Sequence, residues 1–236
     1  MPTKYKIRWR LDDWLFIDIL HFLNTDFSSY GKEKIEAVDG EIHSIHDPEY
    51  WDKQWKHWGD SKKVGKNYYW DIPELLCKYK AKRILEIGCG TGYMIGDIQD
   101  KCTQVEKYVG IDISTYSIEE AKKRIHKPEF EARVENIENI DKLFDTFQFD
   151  AIISADVIEH LPKKIFSKLI KLLVDNNIPL FLFATPYLNH VPTPVHINCF
   201  SKTKMKKLLK KYYHLAFSKY NDYKEFLIFG EHKQYE

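Results

Sequence analysis

The chain has 236 residues, 44% hydrophobic and 30% charged, with a formal net charge of +1. That length suits one α/β domain with an N-terminal extension, or at most two small domains. The near-zero charge speaks against a nucleic-acid partner, and no run reaches the roughly 18 apolar residues that a membrane span needs.

Met1-Pro2-Thr3-Lys4 leads into polar residues, unlike a signal peptide. Cys77, Cys89, Cys102 and Cys199 have neither disulfide-framework nor zinc spacing. Free thiols in a reducing cytoplasm are therefore expected.

In chain order, Leu11, Trp14, Leu15, Ile19 and Phe22 have near-helical spacing and predict a helix over 11–24. Residues 25–47 read as loop or irregular hairpin, with Gly31 and Gly40. Pro48 opens a short aromatic helix from Glu49 to Trp58, and a further helix is expected from Trp70 to Lys80 with Pro73 in its first turn. The aromatic share is 15%, and much of it precedes residue 80, including Tyr50, Trp51, Trp55, Trp58 and Trp70. Residues 1–80 are thus an aromatic-rich helical extension, either a lid and substrate wall or a layer packed on the sheet.

From residue 82 strand and helix alternate. Strands are expected at 83–87, 107–112, 131–135, 149–154 and 178–184. Helices are expected at 92–101, from the Ser114 cap to about His126, from Pro162 to about Asn176, and over 202–212. Strands at 215–220 and 225–230, joined at Asn221-Asp222, close the chain as an antiparallel edge hairpin. The fold expected is α/β: seven strands, mostly parallel, with helices on both faces and that antiparallel C-terminal hairpin, all within 81–236. Lys202, Lys204, Lys206, Lys207, Lys210 and Lys211 lie on a short helix with Met205, Leu208 and Leu209 as its apolar side. A solvated helix face is the expected reading, ahead of a phosphate-binding patch.

Gly88, Gly90 and Gly92 follow a strand and open a helix. A tight turn that brings backbone close to a ligand favours glycine at such positions. Asp112, twenty-two residues after Gly90, ends the next strand and can accept hydrogen bonds from both hydroxyls of a ribose. The wording G-C-G-T-G differs from the dinucleotide pattern. Glu86, just before the turn, suits a cationic ligand and does not suit a pyrophosphate.

The stretches "ILEIGCGTGYMIG" (84–96) and "YVGIDIS" (108–114) resemble the first two motifs of class I S-adenosylmethionine-dependent methyltransferases. The resemblance covers about residues 80–230 and implies a Rossmann-like sheet and S-adenosylmethionine as cofactor, with S-adenosylhomocysteine as product. It implies cofactor contacts from Glu86, Gly88, Cys89, Gly90, Thr91 and Gly92, from Asp112 on the ribose and from Ile113 on adenine. Ile137, Ser154 and Asp156 complete the expected set. The third strand's end often carries an Asp for the adenine amino group; here "VENIEN" offers Asn136, or Glu138 as an alternative.

"ADVIEHLP" (155–162) is similar to the ubiquinone-biosynthesis and sugar O-methyltransferase branch, whose corresponding His lies near the substrate. His160 can serve as general base, since imidazole titrates near 6.5. A second reading has Asp156, Glu159 and His160 bind a divalent metal with His196, as in small-RNA 2′-O-methyltransferases; it is not favoured. A third has Glu159 and His160 cap the next helix. Glu159, His160 and His196 are the catalytic candidates, and no metal ligand is assigned; His190 is of second rank.

The function expected is methyl transfer by in-line displacement, with a small-molecule acceptor: a sugar, nucleotide-linked or capsule-polysaccharide intermediate, or a phenol. Rival readings are an RNA methyltransferase using the lysine face, a non-catalytic cofactor-binding subunit, and an NAD-linked reductase. Nucleic acid is not expected as a partner. A monomer or homodimer in the cytoplasm is expected.

Overall fold

A computed structural model describes residues 34–35, 43–44, 47–58, 68–186, 200–220 and 225–235. The helix expected at 11–24 lies outside them. Strands β1 (Lys34–Ile35) and β2 (His43–Ser44) form a small antiparallel pair where an irregular hairpin is expected. Helices α1 (Pro48–Trp58) and α2 (Tyr68–Lys78) follow. The main sheet then runs β3 (Arg83–Ile87), β4 (Lys107–Asp112), β5 (Phe130–Val134), β6 (Ala151–Ala155), β7 (Leu180–Pro186), β8 (Tyr213–Tyr220) and β9 (Glu225–His232). Its helices are α3 (Tyr93–Lys101), α4 (Thr115–Arg124), α5 (Asp141–Thr146), α6 (Lys163–Asp175) and α7 (Lys202–Leu209).

The seven strands lie in the order β5-β4-β3-β6-β7-β9-β8. The first five are parallel, and β9 runs antiparallel between β7 and β8. The expected mostly parallel, Rossmann-like sheet with its C-terminal hairpin is therefore the observed one. Strand order reverses between β3 and β6, and such a switch point opens a crevice at the carboxyl ends of the strands.

Alternation along each strand divides the core in two. Ile84, Tyr108, Ile153 and Leu182 face Ile72 and Leu76 of α2, Met94, Ile95 and Ile98 of α3, and Ile118 and Ala121 of α4. Leu85, Val109, Ile152 and Phe181 face Leu143 of α5, Phe166, Leu169 and Leu173 of α6, and Met205 and Leu209 of α7. Helix α6 shows why such segments are helical: Phe166, Leu169 and Leu173 recur at helical spacing and all are fully buried. Burying each contributes roughly 1.5–3 kcal/mol. Helix α2 belongs physically to this core although it precedes the expected boundary at residue 80.

Two corrections concern local chemistry. Cys77 and Cys102 are not free thiols: α2 and the end of α3 bring their Cα atoms to 5.2 Å, and a disulfide joins them. A separation of 25 residues carries no motif; the pairing follows from two helices lying side by side on the sheet. Cys89 is a buried free thiol. Helix α5, with Leu143 as its one buried side chain, also lies outside the sequence-based expectations. No helix among the described residues is long and apolar enough to cross a membrane. On α7, Lys206, Lys207 and Lys210 are exposed, and the ammonium groups of Lys202 and Lys206 lie 5.5 and 5.8 Å from the Phe217 ring centre.

The insertion of β9 depends on Gly230. It pairs with Phe181 of β7, and a Cβ there would collide with the Phe181 ring, which also meets Tyr213 edge-on at 5.0 Å. Gly230→Ala should therefore destabilise the protein by roughly 1–3 kcal/mol. A urea melt should show a lower midpoint with an unchanged slope.

Candidate functional site

The turn after β3 is bonded onto the end of β4. Gly88 N–H and Cys89 N–H both donate to the Ile111 carbonyl, at 2.8 and 3.0 Å. Gly90 N–H donates to Asp112 Oδ2 at 2.9 Å, and Ser114 N–H donates to Asp112 Oδ1 at 2.9 Å. Gly88, Gly90 and Gly92 have φ of 71°, 52° and 78°, the left-handed region where a side chain is strained. Close approach enforces the same choice. Val157 lies against Gly88, a Cβ on Gly90 would stand 2.5 Å from Trp55 Cζ2, and one on Gly92 would stand 2.8 Å from Ala121 Cα.

Thr91 is buried, and its carbonyl accepts Arg124 Nε at 2.9 Å, so it tethers the turn to the end of α4. Cys89 is buried beneath Gly110, and burial, with Glu86 and Asp112 near, pushes its thiol well above the usual range. It contributes backbone here, not a thiolate.

Two carboxylates face the turn. Glu86 is 1% exposed, and the Tyr108 hydroxyl donates to its Oε2. Burial raises the Glu86 carboxyl to about 7, against the lowering effect of the Tyr108 bond, and Asp112 adds to the rise. No basic side chain among the described residues bonds to Glu86. Asp112 is also raised by desolvation, partly offset by the Ser114 and Gly90 N–H groups.

The adenine-side candidates stand at the end of β5. Asn136 Oδ1 accepts Glu138 N–H at 2.9 Å, capping the single 3-10 turn Ile137–Asn139. Ile137 packs on the α5–α6 core, Ile113 is half-buried, and Glu138 is exposed. Ser154 is fully buried, pairs with Ile87 at the end of β3 and, two residues from Ile152, lies on the sheet face opposite Glu86.

Beyond β6 the chain turns sharply. Asp156 has φ 56°, and its N–H donates to the Ala184 carbonyl at 3.0 Å. Ile158–His160 form one 3-10 turn. The i, i+3, i+4 face of an α-helix is therefore not what Asp156, Glu159 and His160 form. Among the described residues no group of three His, Cys, Asp or Glu can hold a metal ion. Helix α6 starts after Pro162 with no side-chain cap, so Glu159 and His160 do not cap it. Glu159 is 1% exposed and accepts the Thr185 hydroxyl at 3.0 Å, tying this turn to β7. His160 is half-buried, with the Trp51 ring against it edge-on at 5.1 Å. His190 and His196 lie outside the described residues.

Helix α1 thus roofs the site. Trp51 meets His160, Trp55 meets Gly90, and Asp52 Oδ1 accepts the Ser114 hydroxyl at 2.5 Å and Tyr116 N–H at 3.0 Å. The aromatic content of residues 48–58 signals a covering segment. Nothing in the sequence signals Asp52 or Tyr108, whose partners are 62 and 22 residues away.

Residues 84–176 match a family model described as a methyltransferase domain. No curated protein matches the chain in sequence. Solved structures share the fold. The methyltransferase domain of bacterial CtHen1-C is 19% identical, with a TM-score of 0.58 over 70% of this chain and 96% of that one. The magnesium protoporphyrin IX methyltransferase (ChlM) of Synechocystis PCC 6803, with bound SAH, is 14% identical, with a TM-score of 0.62 over 79% and 98%. An O-methyltransferase family protein from Burkholderia thailandensis is 12% identical, with a TM-score of 0.61 over 79% and 64%.

The geometry of this site has two measurable consequences. Glu86 binds its proton more tightly folded (about 7) than at its ordinary 4.5. Its stabilising contribution is therefore full below 4.5 and lost as pH rises through 7, a loss on the order of 3 kcal/mol. Melting of the ligand-free protein from pH 4.5 to 8 should show this fall, and Glu86→Gln should flatten it. Asp52→Ala should release α1, costing roughly 1 kcal/mol and speeding protease cleavage within 48–58.

Proposed function

We propose that this protein transfers a methyl group from S-adenosylmethionine to a hydroxyl of a small molecule. The acceptor class is a sugar, a nucleotide-linked or capsule-polysaccharide intermediate, or a phenol. One observation carries the reading: a buried carboxylate, Glu86, bonded to a phenol and to no cation among the described residues, stands beside a glycine turn whose third anchor is Asp112. A buried acid without a protein counter-charge suits a ligand that brings a positive charge of its own. The residues present fit this cofactor.

In this reading Glu86 holds the cationic methionyl end and the Gly88–Gly92 backbone lies along it. Asp112, oriented by two N–H donors, receives the ribose hydroxyls. Ile113 and Ile137 are apolar walls for adenine, and Asn136 or Glu138 meets its amino group. Asp156, held in its strained conformation, lines the floor at the end of β6. The bound cofactor supplies an electrophilic methyl on a sulfonium. The chain aligns the acceptor with it, which provides most of the rate. His160 takes the proton from the acceptor hydroxyl, Trp51 fixes its ring, and Glu159 braces the turn through Thr185. His196 is assigned to the acceptor loop. Residues 1–80 act through α1 as a lid that excludes water from residues 81–236.

Calorimetry should detect S-adenosylmethionine binding, and tryptophan emission should change as Trp55 is displaced or reordered over Gly90. An absence of binding would return the chain to the non-catalytic reading. His160→Ala should lower turnover by about 10²-fold or more with cofactor affinity unchanged. A loss under tenfold would remove His160 as the base.

A further inference from the structure

We propose that Tyr108 is a positioning residue for cofactor capture, its phenol fixing the buried Glu86 carboxylate so that this acid sheds a proton as the cationic ligand arrives. The inference rests on the functional reading above and adds a residue and a proton linkage to it.

The geometry is specific. Tyr108 and Glu86 lie on neighbouring parallel strands and on the same face of the sheet, with Tyr108 paired to Ile84 and Glu86 to Gly110. Gly110 puts no side chain beside Glu86, and Ile153 on the other flank puts no charge there. The phenol meets the carboxylate from the diagonal position. Its ring is fully buried and stacked on Phe130, with centres 5.0 Å apart and planes 17° apart. Such a ring has one orientation to offer, so its hydroxyl defines where Oε2 stands.

The titratable groups facing Glu86 are Tyr108 and Asp112 from β4 and Cys89 from the turn. None is cationic. Burial and Asp112 favour the protonated acid, and the Tyr108 donor favours the ionised one, which leaves the carboxyl near 7. Near neutral pH the free protein is therefore divided between the two forms. A cation placed beside Glu86 draws it to the ionised form. The carboxyl O–H bond breaks, the proton leaves to solvent, and Tyr108 keeps its own proton while donating to the carboxylate. Capture then competes with a proton.

The test is calorimetry with S-adenosylmethionine from pH 5.5 to 7.5, where its sulfonium stays cationic. Wild-type affinity should rise by up to about tenfold per pH unit at the acid end and flatten above 7. Buffers of different ionisation enthalpy should report about one proton released at pH 5.5. Tyr108→Phe keeps the stacked ring and deletes the donor. It should move the midpoint up by about one unit and weaken binding severalfold at pH 7. Glu86→Gln should abolish the slope. An equal loss at every pH in Tyr108→Phe, or a slope that survives in Glu86→Gln, would overturn the proposal. Melting of the ligand-free variants gives an independent reading: Tyr108→Phe should shift the pH midpoint of stability upward by about one unit, and an unchanged midpoint would also overturn it. A shifted melting midpoint with no cofactor binding by wild type would sink the functional reading while leaving the Tyr108–Glu86 coupling intact.

Discussion

The glycine turn depends on a bond across strands: two successive N–H groups, of Gly88 and Cys89, share the Ile111 carbonyl, and the next glycine's N–H reaches Asp112. Strand β3 thereby ends on the tip of β4. Three positive φ angles follow, because a chain that leaves β3, touches β4 and immediately opens α3 has no room for an ordinary bend. Asp112 is held from both sides by N–H donors, and Ser114, bonded to it, caps α4 through its own hydroxyl, which accepts Ser117 N–H at 3.0 Å. One carboxylate thus joins the turn, the end of β4 and the start of α4, and the candidate site is built around it.

That arrangement carries an electrostatic cost. Glu86 and Asp112 are both desolvated, and Asp112 adds to the resistance of Glu86 to ionisation. Natural cores avoid such pairs unless something repays them. Backbone N–H groups stabilise Asp112, but Glu86 has the phenol alone. Ionising Glu86 therefore costs more here than in water, which is what the proposed binding of a cation at this position would relieve.

Much of the fold is legible in the residues because the pattern is locally enforced. Strands at 83–87 and 107–112 are found at those limits, since their apolar runs are bounded by charged residues and by the turn. The errors have physical causes. The strand expected from Phe149 begins at Ala151, because the Asp150 carboxylate is used to receive the Arg83 and Lys82 N–H groups at 2.9 and 3.1 Å. Helix α4 stops at Arg124, short of His126, where the Gln99 side chain captures the Arg124 carbonyl and His126 N–H. The Asp156–His160 segment is not an α-helix, since Asp156 is left-handed and Ile158–His160 form a single 3-10 turn. The glycine turn, Glu86 and Asp112 are legible because their spacing is contiguous. The Cys77–Cys102 bond, Asp52 and Tyr108 are not, because their partners meet only once the sheet has formed.

Helix α1 brings these lines together through Ser114. The Ser114 N–H serves Asp112 and its hydroxyl serves Asp52, so the carboxylate at the tip of β4 and the helix that roofs the site hang on one residue. Trp55 touches Gly90, whose N–H is Asp112's other donor, and Trp51 touches His160 at the end of the neighbouring strand. A ligand seated on Asp112 must therefore share its anchors with the roof. On the proposed reading, its arrival would disturb Asp52 and Trp55 together and, through the same helix, what Trp51 holds. On that reading, an 11-residue helix with three such contacts would couple cofactor occupancy to His160 without any longer-range change in the sheet.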